Sequence, residues 1–136
     1  NNATIERLNQ INREFYRITA ASFDETRRQP WPGWEPLIPY LKLPLTVLDV
    51  GCGNGRFGVF LAEHVGANIT YTGVDNSDSL LARAETTLAG TEIKYHLEYR
   101  DIMHDPLLES EYNLVVLFGV LHHIPGYDQR CTLMQQ

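Results

Sequence analysis

Hydrophobic positions at three- and four-residue intervals open the chain: Ile5, Leu8, Ile11, Phe15 and Ile18 predict an amphipathic helix over residues 4–19. Asn2 or Thr4 is placed to cap its start. The stretch RRQPWPGWEP, with three prolines and a glycine, then interrupts regular structure. A second short helix is expected from Trp34 to Leu43, carrying Leu37, Ile38 and Leu41 and stopped by Pro44. From residue 45 the period changes. Short apolar runs at 45–50 (LTVLDV), 68–74, 92–99 and 112–118 (YNLVVLF) read as strands. Between them, 56–65 and 77–88 read as helices, the second opened by an Asn/Ser/Asp cap.

Buried strands alternating with helices imply βαβ units, right-handed crossovers and a parallel sheet. The fold class is therefore α/β: a mainly parallel sheet with N-terminal helices. Two units follow, an N-terminal helical lid or cap over residues 1–44 and a cofactor-binding core over residues 45–136.

Charge divides at the same place. Of the 11 Lys/Arg and 17 Asp/Glu, residues 1–44 hold six and five, and residues 45–136 hold five and twelve, so the core carries the negative balance. The only basic cluster is Arg13, Arg17, Arg27 and Arg28, short of the stripe that neutralises a nucleic-acid backbone. No apolar run approaches the roughly 18 residues that cross a bilayer, and no basic-then-apolar leader opens the chain. Cys52 and Cys131 suggest neither a disulfide framework nor a metal site, so the expected setting is cytoplasmic and no metal is assigned.

The stretch VLDVGCGNGRFG at 47–58 carries the chemistry. A strand runs into Gly51, Gly53 and Gly55, and a helix follows. Glycines let a ligand approach the backbone, and the helix start offers unpaired N–H groups. In α/β sheets such a loop, at the carboxyl end of a strand, is a nucleotide-type site. A dinucleotide fingerprint would be G-x-G-x-x-G, with its third glycine at position 56, where Arg56 stands. Here Asp49 precedes the loop; it would repel pyrophosphate but suits an ammonium group. Asp75 ends the second strand, where it can accept from both ribose hydroxyls or serve only as a helix cap. Asp101 follows the third, where its carboxylate or the next amide can read an adenine edge, although Asp105 is close enough to compete. Carboxylates without a basic phosphate contact favour a cationic nucleoside, and S-adenosylmethionine fits.

On VLDVGCGNGRFG, TGVDNSDSL, RDIMHD and YNLVVLFGVLHHIP, in that order, the sequence resembles the class I S-adenosylmethionine-dependent methyltransferases. The resemblance implies that the backbone of Gly51, Cys52, Gly53, Asn54 and Gly55 cradles the amino-acid moiety, with Asp49 near its ammonium. It implies Asp75, with Asn76, at the ribose; Asp101 and Ile102 at the adenine; and Phe118 and Gly119 beside the methionine and sulfonium. A narrower likeness lies ahead of the glycines: FD-x-TR-x-x-PWP followed by Trp34 is similar to the segment in wobble-uridine tRNA methyltransferases and their bacterial relatives. There the segment packs over the cofactor, making Tyr16, Arg27 and Trp31 candidate lid contacts.

The function expected is methyl transfer from S-adenosylmethionine to a small-molecule or tRNA acceptor. The alternatives are a nicotinamide- or flavin-binding oxidoreductase domain and a non-catalytic cofactor-binding module. His122 is the candidate proton acceptor, against a plainer part as a helix-end hydrogen bonder; Cys52 is expected to pack rather than react. The resemblance implies a Rossmann-like, doubly wound sheet with a visible strand order of 3-2-1-4, and three further C-terminal strands absent from this sequence. Residues 115–118 (VVLF) would then be an apolar edge, so either the chain is a fragment or that edge self-associates or meets a partner.

Overall fold

In a computed structural model of the chain, residues 1–26, 29–107 and 109–136 are described. Helix α1 (Asn2–Thr26) is followed by a 3-10 helix (Pro32–Tyr40) and then by β1 (Leu45–Val50), α2 (Arg56–His64), β2 (Ile69–Asp75), α3 (Asp78–Leu88), β3 (Lys94–Tyr99), β4 (Leu114–Val116), a 3-10 turn (Leu121–His123) and α4 (Tyr127–Met134). The four strands form one sheet in the order β3-β2-β1-β4, all pairs parallel, as the alternation of elements predicts.

β1 is central and apolar on both faces. On one face Val47 joins Tyr71 and the α2 residues Phe57, Phe60 and Leu61, with Ala84 and Leu88 from α3. On the other, Leu48, Val50 and Val74 pack with Ile102, Leu107, Tyr112 and Leu117. The chain steps outward from β1 to β2 to β3, then crosses back to place β4 on the far side of β1. That reversal is the topological switch point, and it opens a crevice at the carboxyl ends of the strands. β4 has three residues rather than the expected seven, and its outer edge leaves Val115 exposed.

Two local expectations are corrected. The first helix is capped by Asn1, whose Oδ1 accepts from the Thr4 N–H at 3.0 Å, not by Asn2 or Thr4, and it runs to Thr26. The second helix is 3-10 and starts at Pro32, because Pro36 and Pro39 inside it lack the N–H groups of an α-helical ladder. Trp34 from this segment is buried against Phe57, Phe60 and Phe118.

The largest difference concerns the face that α1 presents. Its apolar stripe points outward: Leu8 is 44%, Ile11 50%, Phe15 56% and Ile18 67% exposed. Asn9 and Ala20 are buried instead, and Asn12, Arg13, Tyr16 and Phe23 are half-buried. Helices ordinarily bury their apolar stripe, but α1 lies over a polar crevice and turns its hydrogen-bonding face to it. No described helix is long and apolar enough to cross a membrane.

Candidate functional site

The crevice is a cavity of about 520 Å³ whose lining comes from the ends of all four strands and from α1. After β1 the chain turns through Gly51 (φ 73°), Gly53 (φ 56°) and Gly55 (φ 78°) into α2. The N–H groups of Gly51 and Cys52 both donate to the Val74 carbonyl, at 2.8 and 3.0 Å, which staples the loop to the end of β2. Asp75 completes the staple: its carboxylate accepts from Gly53 N–H at 2.8 Å and from Ser77 N–H at 2.9 Å. The helix cap is therefore Ser77, whose Oγ accepts from Leu80 N–H, and Asp75 stays at the cavity.

Asp49 sits deeper, 2% exposed, with the Tyr71 hydroxyl donating to it at 2.5 Å. Burial raises its pKa from 3.8 to about 7; the Tyr71 hydrogen bond and the Arg56 charge work against this, and the Asp75 charge adds to it. Burial also raises Asp75, against the N–H groups of Gly53, Ser77 and Asn76. Among the described residues neither carboxylate forms an ion pair. Two buried acids under a glycine loop, neither ion-paired among the described residues, fit a ligand that brings its own positive charge.

A stability profile follows. Between pH 4 and 7 the folded chain holds a proton on Asp49 that the unfolded chain has released, so ligand-free stability falls as pH rises through that window. The full shift corresponds to a loss on the order of 4 kcal/mol. Urea unfolding at pH 4.5 and 8 should show it, and Asp49→Asn should flatten the slope; an unchanged slope in that variant would place the effect elsewhere.

Asp101 also lines the cavity. It is buried, but its carboxylate is occupied by the protein: Asn9 Nδ2 donates at 3.1 Å, Arg13 at 3.1 Å and the Met103 N–H at 3.1 Å, with His104 Nδ1 at 3.2 Å. Asp105 is indeed positioned here too, accepting from the Asp101 N–H. His104 also meets Glu6 of α1 at 2.9 Å, and this bond, ahead of Asp101, raises its pKa. Asp101 thus ties down α1, leaving Ile102 beside it in the lining. Converting Asn9→Leu with Arg13→Met should cost about 1–3 kcal/mol of local stability by stripping donors from a buried carboxylate. Hydrogen exchange would show it as roughly tenfold or greater loss of protection confined to α1; equal loss across the sheet would mean that α1 is not a separate unit.

From the same middle stretch of the helix, Tyr16 Oη lies 2.7 Å from His123 Nε2, and Asn12 Nδ2 donates to the His123 carbonyl at 2.8 Å. Of the two histidines, His123 is the half-buried, bonded one, its pKa lowered by burial and then by the neighbouring His122 charge. His122 is exposed, its ring 3.9 Å from that of His123, and it still lines the cavity.

Of the residues singled out from sequence, the cavity gathers Tyr16, Trp31, Asp49, Gly51, Cys52, Gly53, Asn54, Asp75, Asn76, Asp101, Ile102, Phe118, Gly119 and His122. Gly55 is outside the lining: it is the left-handed residue that starts α2, closely packed on Ala84 and Leu88. Arg27 lies outside the described residues, as does Arg28 of the basic cluster. Cys52 is a buried free thiol whose pKa burial pushes well up, consistent with packing. Sequence reasoning missed Tyr71, Asn9 and Asn12. A polar stripe at 9, 12, 13 and 16 was the available signal for α1, while Tyr71 carries none without the strand register.

The chain is similar to known methyltransferases. A tRNA (carboxymethyluridine(34)-5-O)-methyltransferase of Schizosaccharomyces pombe is 27% identical over 132 residues, 97% of this chain and 53% of its own length. A ubiquinone biosynthesis O-methyltransferase of Hydrogenovibrio crunogenus is 37% identical over 82 residues, 59% of this chain and 32% of its own. The fold matches that of a SAM-dependent methyltransferase from Thiobacillus denitrificans, solved in complex with S-adenosyl-L-homocysteine, with a TM-score of 0.66 and 18% identity over 88% of this chain and 49% of that one. The chain thus spans about half or less of these relatives. The methyltransferase domain model covers residues 47–135, from the middle of β1 through the glycine loop to the end of α4, and by that match the chain belongs to the methyltransferase domain family.

Proposed function

We propose that the chain is the cofactor-binding part of an S-adenosylmethionine-dependent methyltransferase whose acceptor is a wobble uridine of tRNA. The observation that carries the first half is the pair of carboxylates, Asp49 and Asp75, on the wall of one glycine-loop cavity, neither of them in an ion pair among the described residues. In this reading the Gly51–Gly55 loop and Asp49 hold the amino-acid end, Asp75 and Asn76 the ribose, and Ile102 the adenine. Phe118 and Gly119 lie along the methionine chain. Tyr16 and Trp31 close over it, with Arg27 assigned to the same lid from sequence. The cofactor supplies an electrophilic methyl group; the protein's share is to orient it and keep water out.

Support for the acceptor is the extent of likeness. The S. pombe tRNA enzyme matches along 132 residues, which necessarily takes in α1, whereas the quinone-pathway relative matches along 82. A cytoplasmic setting accompanies the reading, and both cysteines are free thiols. His122 and His123 line the acceptor side, available to take a proton from acceptors that release one. Calorimetry with S-adenosylmethionine, S-adenosylhomocysteine and NAD tests the cofactor: the first two should bind and NAD should not. Labelled methyl transfer by the whole protein to tRNA with or without carboxymethyluridine tests the acceptor. Tight NAD binding without heat from the adenosyl compounds would sink the reading.

A further inference from the structure

We infer that Tyr71 is a positioning residue for the cationic end of the ligand: its phenol holds the Asp49 carboxylate in place and sets the pH above which the cavity accepts a positively charged group. The inference rests on the cofactor reading above and goes beyond it, because Tyr71 does not line the cavity.

Strand register makes the contact possible. Val47 pairs with Tyr71 and Asp49 with Gly73, so Tyr71 and Asp49 are diagonal neighbours on one face of the sheet. Gly73, directly opposite Asp49, carries no side chain to block the diagonal. The ring is also admitted by α2, where a Cβ on Gly58 would lie 3.2 Å from Tyr71 Cε2 and Cζ. The phenol therefore runs along the inside of the sheet, fully buried, to a single acceptor, Asp49 Oδ2. That is the one side-chain hydrogen bond the Asp49 carboxylate receives among the described residues. Phenylalanine would fill the same space; the hydroxyl's use is at the carboxylate. By donating to Oδ2 it favours the ionised form and leaves Oδ1 for a ligand ammonium.

Among the described residues, the other titratable groups facing Asp49 are Asp75 from β2, Cys52 from the loop and Arg56 from α2, while β4 presents Val116. Tyr16 of α1, His122 and His123 share the cavity. Burial and the Asp75 charge keep Asp49 protonated, and Arg56 and Tyr71 oppose them. Tyr71 does so through a direct hydrogen bond and Arg56 through its charge.

The test compares wild type with Tyr71→Phe, using calorimetry with S-adenosylhomocysteine between pH 5.5 and 9 and carboxyl-carbon NMR titration of the ligand-free protein, with Asp49→Asn assigning the resonance. Wild-type affinity should rise with pH and level off once Asp49 ionises. In Tyr71→Phe the midpoint should move up by about one pH unit, the equivalent of one hydrogen bond to a charged group. Affinity at pH 7 should then fall roughly five- to tenfold and come within about twofold of wild type at pH 9. Adenosine, which lacks the ammonium, should show no such profile. An equal loss at every pH, or an unmoved Asp49 midpoint, would overturn the inference. Should Tyr71→Phe not fold, 3-fluorotyrosine at position 71 strengthens the donor and must move the midpoint down; no movement refutes the assignment. If wild type binds no adenosyl compound at any pH, the cofactor reading fails, yet the ligand-free NMR midpoint still judges Tyr71.

Discussion

Asp75→Ala should weaken S-adenosylhomocysteine binding by at least tenfold and as much as about a hundredfold, since hydrogen bonds to a charged group are worth about 1.5–3 kcal/mol. The expectation has two physical sources that an experiment can separate. One is the loop: Asp75 accepts from Gly53 and Ser77, so alanine removes the tie between the glycine turn and the start of α3. The other is direct contact with both ribose hydroxyls. A 2′-deoxy form of the ligand distinguishes them. Wild type should lose affinity for it, whereas Asp75→Ala should bind both forms alike if the carboxylate meets the sugar. If the variant discriminates as strongly as wild type does, Asp75 serves the loop alone. Asp75→Asn keeps a carbonyl oxygen for one N–H and should fall between the two.

How much of this site was legible in the sequence depends on what each residue answers to. Gly51, Gly53, Asp49 and Asp75 were readable because they sit at the ends of short buried strands, where the βαβ pattern alone fixes direction and face. Strand order came from the family resemblance, because the alternation of elements alone leaves it open. The orientation of α1 did not: Leu8, Ile11, Phe15 and Ile18 have the spacing of a core-facing stripe, but the surface beneath them is a cavity lined by carboxylates and backbone. There a helix packs through Asn9, Asn12, Arg13 and Tyr16. Because that docking was hidden, so was the fate of Asp101, whose acceptors α1 and His104 consume. The Tyr71–Asp49 bond joins residues 22 apart and exists only in one strand register. Motif spacing treats three glycines alike, yet Gly55 answers to helix packing and Gly51 to the cavity.

Gly51→Ala should be the most destabilising small change in the loop. At φ 73° an L-residue costs about 1–2 kcal/mol in the left-handed region. A Cβ there would also lie 2.3 Å from Val120 Cγ2, and valine, stiff at χ1 and 9% exposed, has little room to yield. Overpacking of this kind costs a further 1–3 kcal/mol, roughly. The sum is about 2–5 kcal/mol, a large share of the roughly 5–15 kcal/mol that holds a domain folded. Val120→Ala in the same chain tests the division. It removes the overlapping methyl but cannot relieve the backbone, so the pair should show a favourable coupling of about 1–3 kcal/mol in urea unfolding. Strict additivity would mean that the dihedral angle alone demands glycine. The coupling is also the sharper functional probe, because Gly51 and Val120 line the same cavity wall. A double variant that regains stability but still binds the ligand poorly would show that the turn's shape, rather than its rigidity, is what the ligand requires.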